Sequence, residues 1–140
     1  MNINIIPISM KHMSDVIDIL QSISEFKPKK LFHENIYKEF IKHTDNYGLV
    51  AVDENEKVLG YGSILFEYKI RGGIVGHIED IAVHHQYQKR GVGNLILNKL
   101  IEMGKNKECY KITLSCKKKN ILFYEKCNFS EGGLTMKQFI

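Results

Sequence analysis

The stretch Ile81-Ala82-Val83-His84-His85-Gln86-Tyr87-Gln88-Lys89-Arg90-Gly91-Val92-Gly93-Asn94 decides the fold, because an apolar strand gives way to a glycine-bearing loop and then to an apolar helix. A helix N-terminus has backbone N–H groups without intrahelical partners and a partial positive charge, so it receives phosphate readily. Gly91 and Gly93 let the main chain approach an anion with no Cβ in the way, and Lys89 and Arg90 add charge at the rim. Gln88 to Asn94 therefore reads as a pyrophosphate cradle inside a parallel β-α-β crossover.

Downstream, helical periodicity runs from Asn94 through Leu95, Ile96, Leu97, Leu100, Ile101 and Met103. Lys111 to Ser115 reads as a short strand, Asn120 to Lys126 as a compact helix, and Leu134 to Phe139 as a last strand. Upstream, the N-terminal Ile3-Asn4-Ile5-Ile6 is a first strand, and Ser9 can cap a helix bearing Met13, Val16, Ile17, Leu20 and Ile23. Pro28 interrupts that pattern. A second helix follows from His33 to His43, with Ile36, Phe40 and Tyr37 inward. The period then changes to two over Leu49–Val52, Val58–Tyr68 and Ile74–Val83, joined by the polar turns Asp53–Lys57 and Arg71–Gly73. The order is β-α-α-β-β-β-α-β-α-β: an α/β (α+β) fold with a single mixed central sheet flanked by helices, residues 1–140 forming one domain.

A hydrophobic share of 44% and a charged share of 26% fit a globular protein and exclude a fibrous or disordered class. No apolar run reaches the roughly 18–20 residues of a membrane span, and the N-terminus lacks the basic-then-apolar form of a secretory signal. Cys109, Cys116 and Cys127 are odd in number and have no C-x-x-C spacing. They read as free thiols in a reducing, intracellular (cytoplasmic) compartment, with no disulfide scaffold and no metal site. The net charge of +4 suits an anionic small ligand and falls short of a nucleic-acid-binding face.

Gln88-x-x-Gly91-x-Gly93 resembles the acetyl-CoA signature of the GNAT N-acetyltransferase superfamily, and Asn120-Ile121-Leu122-Phe123-Tyr124-Glu125-Lys126-Cys127-Asn128-Phe129 resembles that family's later motif. Glu67-Tyr68-Lys69, Gly76 to Val83 and Cys109 to Leu114 are similar to segments of the glucosamine 6-phosphate N-acetyltransferase subfamily. The resemblance implies the GNAT fold, acetyl-CoA as cosubstrate and direct attack of a neutral amine on the thioester. It also implies a sugar phosphate as the acceptor, leading toward UDP-N-acetylglucosamine, and a homodimer with the last strand packed across the two-fold axis.

Carried over to this chain, the resemblance implies that Ile81, Ala82 and Val83 offer backbone hydrogen bonds to the pantetheine arm. The pyrophosphate is expected on Gln88, Lys89, Arg90, Gly91, Val92, Gly93 and Asn94, with Asn120, Phe123 and Lys126 beside the cofactor. Tyr124 is the expected proton donor to the leaving thiolate, since a phenol of pKa about 10 is neutral beforehand and matches a thiolate's basicity. Read from the residues alone, Tyr124 equally suits a core aromatic and Asn120 a helix cap. Glu79 and Asp80 are adjacent acids in an apolar strand, so at least one faces a covered side and needs a partner there. The resemblance places this pair at the sugar site, with Lys69 as a phosphate contact; Lys29 and Lys30, in the loop at the proline break, are further candidate contributors by their charge and position. His77 is expected to support structure, and Lys117-Lys118-Lys119 to form a solvated turn.

Ser115 stands where the subfamily usually carries Asp or Glu beside the acceptor amine. A backbone carbonyl there would suffice; a carboxylate would be missing. Asn128 replaces a usual Gly and tolerates left-handed backbone angles. The alternatives are an acetyltransferase for another amine (a protein N-terminus, a polyamine or an antibiotic) and a non-catalytic CoA-binding module.

Overall fold

The computed structural model describes residues 1–140. The chain forms β1 (Asn4–Pro7), α1 (Met13–Leu20), α2 (His33–Lys42), β2 (Asn46–Val52), β3 (Val58–Tyr68) and β4 (Ile74–Val83), then α3 (Val92–Asn106), β5 (Lys111–Leu114) and α4 (Ile121–Glu125). The five strands make one sheet in chain order. All neighbours are antiparallel except β4 and β5, which are parallel and connected through α3. This is the crossover expected around the cradle, and the class of fold is the expected one.

Both faces of the sheet are covered. Leu49 and Ala51 of β2 turn toward α3 and join Ile96, Leu97 and Leu100, while Val50 and Val52 turn toward α1 and join Val16 and Ile19. A strand covered on both sides has no solvent face, so Leu49 to Val52 is apolar throughout. α3 lies unusually close to β3: a Cβ on Gly62 would sit 2.7 Å from Ile96 Cγ2. Glycine there lets α3 press onto the sheet and fixes the position of its N-terminus.

Two expectations fail locally. Ile36 points outward, 39% exposed, and α2 buries only His33 fully, because this helix packs on the sheet's margin where no second layer covers it. Leu134 to Phe139 is not a strand: no edge within the chain pairs with it, and Leu134 and Met136 are 97% and 93% exposed. An isolated extended segment without a ladder has nothing to hold it in register.

Ser9 precedes a single 3-10 turn (Met10–His12) rather than α1 itself. His12 Nδ1 accepts the Ser9 N–H at 3.0 Å, and its buried Nε2 has no partner. Burial, with Lys11 adding to it, holds the His12 imidazole below its ordinary value of 6.5. A folded-state value below the unfolded one means that stability is complete above about pH 6.5 and is lost as pH falls. The melting temperature of the wild type should therefore drop more between about pH 7.5 and pH 5 than that of His12→Asn, whose Oδ1 can still accept the Ser9 N–H. Parallel pH dependences would clear His12 of the effect.

Candidate active site

The cradle forms as its residue types require. After β4 the chain makes one turn (His85–Tyr87), Lys89 adopts φ +62°, and Gly91 reaches φ +84° at the N-cap of α3. Gly91 is needed for that left-handed geometry, whereas a Cβ on Gly93 would meet Val83 and Phe123 only at 3.5 and 3.9 Å, ordinary contacts. Gln88 Nε2 donates to Val83 O at 3.3 Å, tying the loop back to the strand. Tyr87 receives the Lys57 ammonium and the Arg90 guanidinium over its ring, so Arg90 is held beside the α3 N-terminus. Asn94 Oδ1 accepts from Cys127 Sγ at 3.4 Å, which links α3 to the end of α4.

β4 changes character along its length. β5 pairs with it only over Val75 to Ile78, so the β5-facing backbone of Glu79 to Val83 has no strand partner. On the other side, Ser63 pairs with Glu79 but Tyr61 with Ala82, so Asp80 and Ile81 stand opposite Gly62 as a β-bulge. Asp80 takes φ +57°, and Ser63 Oγ donates to Glu79 O at 3.1 Å. The expectation that at least one of the two acids faces a covered side and finds a partner there fails: the extra residue of the bulge resets the alternation, and both Glu79 and Asp80 are exposed at this edge. Burial of its carboxyl pushes Asp80 above the usual carboxylate value, although the residue as a whole stays exposed.

Beside this edge lies a cavity of about 740 Å³ lined by His77, Glu79, Thr113, Ser115 and Tyr124, among others. Tyr124 on α4 is half-buried, edge-on to Phe123 and Phe129. Burial, then the nearby Cys116 and Cys127, push its phenol above 10, so it stays protonated and can donate. Ser115 Oγ lies 2.7 Å from Thr135 Oγ1 in the C-terminal segment, which closes one wall of the cavity.

The structure thus brings together Glu79, Ser115 and Tyr124 around one cavity, with the open edge at Ile81 to Val83 leading to Gln88–Asn94. Phe123 reaches the cradle at Gly93, while Asn120, exposed at the N-cap position of α4, makes no side-chain cap bond. Lys126 is exposed at the C-cap of the same helix. Lys69 lies off the cavity wall, its ammonium 3.1 Å from Glu67. Lys29 and Lys30 are exposed and stand away from that wall, and Lys117 to Lys119 form the expected solvated turn. Asn128 adopts φ +69°, the left-handed angle anticipated for it. No group of three or more His, Cys, Asp or Glu side chains is placed to hold a metal ion. Sequence reasoning passed over Thr113; the signal was its spacing of two from Ser115, which puts both on one face of β5.

The acetyltransferase (GNAT) family model matches residues 13–129. Glucosamine 6-phosphate N-acetyltransferase 1 of Dictyostelium discoideum is 39% identical over 88% of this chain and 81% of its own length. The glucosamine 6-phosphate N-acetyltransferase of Schizosaccharomyces pombe is 38% identical over 69% of this chain and 90% of its own. In three dimensions the chain is similar to the crystal structure of glucosamine-6-phosphate N-acetyltransferase from Arabidopsis thaliana, with a TM-score of 0.91, 24% identity and 99% of both chains covered.

The two cradle glycines should separate in a denaturation experiment. Gly91→Ala, forced into a left-handed backbone, should lose about 1 kcal/mol of unfolding free energy or more. Gly93→Ala, inside the first turn of α3 with room for a methyl, should lose none. Equal losses in urea titrations would contradict this assignment of their roles.

Proposed function

Because the chain belongs to the GNAT acetyltransferase family, we propose that it transfers the acetyl group of acetyl-CoA to the amine of D-glucosamine 6-phosphate, giving N-acetyl-D-glucosamine 6-phosphate. The observation that carries the reaction class is the continuity of one surface: an amide cradle at α3, an unpaired β4 edge, and a half-buried phenol at its end. The acceptor rests on the Dictyostelium and Schizosaccharomyces relatives, whose names specify it.

In this reading the pyrophosphate lies on the amides of Lys89 to Asn94, and Arg90, stacked on Tyr87, supplies charge at the rim. The pantetheine arm takes the place of a strand beside Ile81, Ala82 and Val83, satisfying backbone groups that β5 leaves free. Asn120, Phe123 and Lys126 flank that arm. The acceptor's hydroxyls and amine meet Glu79 and Asp80, and Lys69 exchanges Glu67 for the 6-phosphate. The neutral amine attacks the carbonyl carbon, the C–N bond forms as the C–S bond breaks, and Tyr124 protonates the departing sulfur. Ser115 contributes through its backbone carbonyl, since its side chain is engaged by Thr135.

Assembly as a homodimer belongs to the same proposal. The side chains of Leu134, Met136 and Phe139 are uncovered in the segment that Thr135 ties to Ser115 at the end of β5, the edge strand of the sheet, and a second copy would supply the ladder that this chain lacks. Acetyl-CoA use agrees with an intracellular, reducing setting, and all three cysteines are free.

Thiol release from acetyl-CoA, followed with glucosamine 6-phosphate, glucosamine and a lysine peptide, tests the acceptor. Turnover should be fastest with the sugar phosphate; equal rates with and without the 6-phosphate would sink that assignment. Tyr124→Phe should reduce kcat about 100-fold with little change in acetyl-CoA affinity. Unaltered kcat would remove Tyr124 from the mechanism.

A further inference from the structure

Three side chains on the acceptor side of the cavity form a chain that the steps above do not use. His77 Nδ1 lies 2.8 Å from Thr113 Oγ1, and His77 Nε2 lies 2.8 Å from Glu67 Oε1. The same Glu67 oxygen accepts from Lys69 Nζ at 3.1 Å. An ionised carboxylate only accepts, so Glu67 fixes the imidazole proton on Nε2 and leaves Nδ1 to accept from the threonine hydroxyl. Sheet register builds the arrangement. His77 pairs with Thr113 across the parallel β4–β5 ladder and with Leu65 across β3, which makes Glu67 its diagonal neighbour on the same face.

The two ends of this chain face different surroundings. Thr113 and His77 line the cavity with Glu79, Ser115 and Tyr124, whereas the Glu67 side chain is 45% exposed. Hydroxyl and imidazole therefore meet the cavity wall, and the carboxylate continues the hydrogen-bonded chain toward water. Acetyl transfer to an amine needs such a path. The nitrogen carries a surplus proton once it has bonded to the carbonyl carbon, and Tyr124, which gives a proton to sulfur, is in the wrong state to take one. The Ser115 backbone carbonyl can accept a hydrogen bond but is too weak a base to carry the proton away, and the Ser115 hydroxyl is bound to Thr135.

We propose that Thr113, His77 and Glu67 are the proton exit for the acceptor amine. This rests on reading the cavity as the acetyl-transfer site. The nitrogen's proton passes to Thr113 Oγ1 while the hydroxyl's own proton passes to His77 Nδ1. Threonine ends neutral, and the imidazole ends as an imidazolium held by Glu67 before it discharges to water. Thr113 touches the substrate; His77 and Glu67 act through it as positioning residues. The hydrogen bond from His77, and before substrate binds the one from Lys69, hold the Glu67 carboxyl below its usual range, and the His77 bond remains when Lys69 turns to the phosphate. The other titratable groups that line the cavity with His77 are Glu79 on β4, Lys111 and Cys116 at the ends of β5, Tyr124 and Glu125 on α4, and Glu131 in the C-terminal segment.

Thr113→Val preserves shape and removes the hydroxyl, while Glu67→Gln keeps an acceptor and removes the charge. Turnover is measured from about pH 5.5 to 9 with whichever amine the wild type uses fastest. Thr113→Val should lower kcat about 100-fold while the KM for acetyl-CoA and the melting temperature hold. Glu67→Gln should move the acidic limb of the kcat profile to lower pH, because the loss of a negative charge disfavours the imidazolium. A Thr113→Val enzyme with wild-type kcat and profile overturns the proposal. So does a Glu67→Gln limb that coincides with the wild type, which would leave the amine's own titration in control; this measurement decides should the valine variant not fold. An acceptor other than the sugar phosphate would leave the proton exit standing, since both variants are read on the amine actually used. Thiol release with no amine at all would end both readings.

Discussion

The separation of β4 from β5 is the constraint on which the rest of the molecule depends. Parallel pairing lasts from Val75 to Ile78 and stops, while β4 continues to Val83. Everything on the α3 side of the sheet serves to keep that gap open yet rigid. Gly62 and Gly60 admit the helix so closely that Ile96 would meet any added Cβ within 3 Å, leaving α3 no room to slide toward the sheet. α4 forms the other jaw, and just past its end Cys127 is joined to α3 by a hydrogen bond to Asn94. Backbone hydrogen bonds left unmade along β4 are costly if dry and unproductive if wet, so an extended polar arm fits there better than either alternative.

The bulge at Asp80 gives the gap its direction. Without it the alternation of β4 would run unbroken from Ile74 to Val83, and Glu79 or Ala82 would exchange faces. With it, Ala82 packs in the α1-side core while Glu79 reaches the cavity. Ser63, one of the few buried polar residues, holds the bulge from behind by its bond to the Glu79 carbonyl. The position of Glu79 at the cavity is thus tied to a hydroxyl on the neighbouring strand that does not line that cavity.

Much of the fold was legible because it rests on local rules. β3 and β4 run over Val58–Tyr68 and Ile74–Val83, the bounds that their period and flanking turns indicate. The cradle was legible because Gly91 sits where only a left-handed residue closes the turn. What escaped was non-local. Ile36 carries an inward signature on an amphipathic helix, but nothing in the sequence says that the layer above it is missing. Leu134 to Phe139 alternates like a strand, yet a strand is defined by its partner, and none exists within the chain. Glu79 and Asp80 disclosed that the strand was irregular without disclosing a bulge. The chain from Glu67 through His77 to Thr113 joins three strands, so it appears only once their register is known.

Asp80 also bears on how far this chain can be improved. An aspartate at φ +57° holds a backbone conformation that costs of order 1 kcal/mol for a residue with a side chain, and it keeps a partly desolvated carboxyl there as well. Glycine would relieve both burdens at once. A search for heat-resistant variants that scored stability alone would be drawn to this position and would remove the acid next to Glu79 in the bulge. Thermal tolerance is better sought in places such as the uncovered face of α2, where a substitution touches neither the bulge nor the cavity.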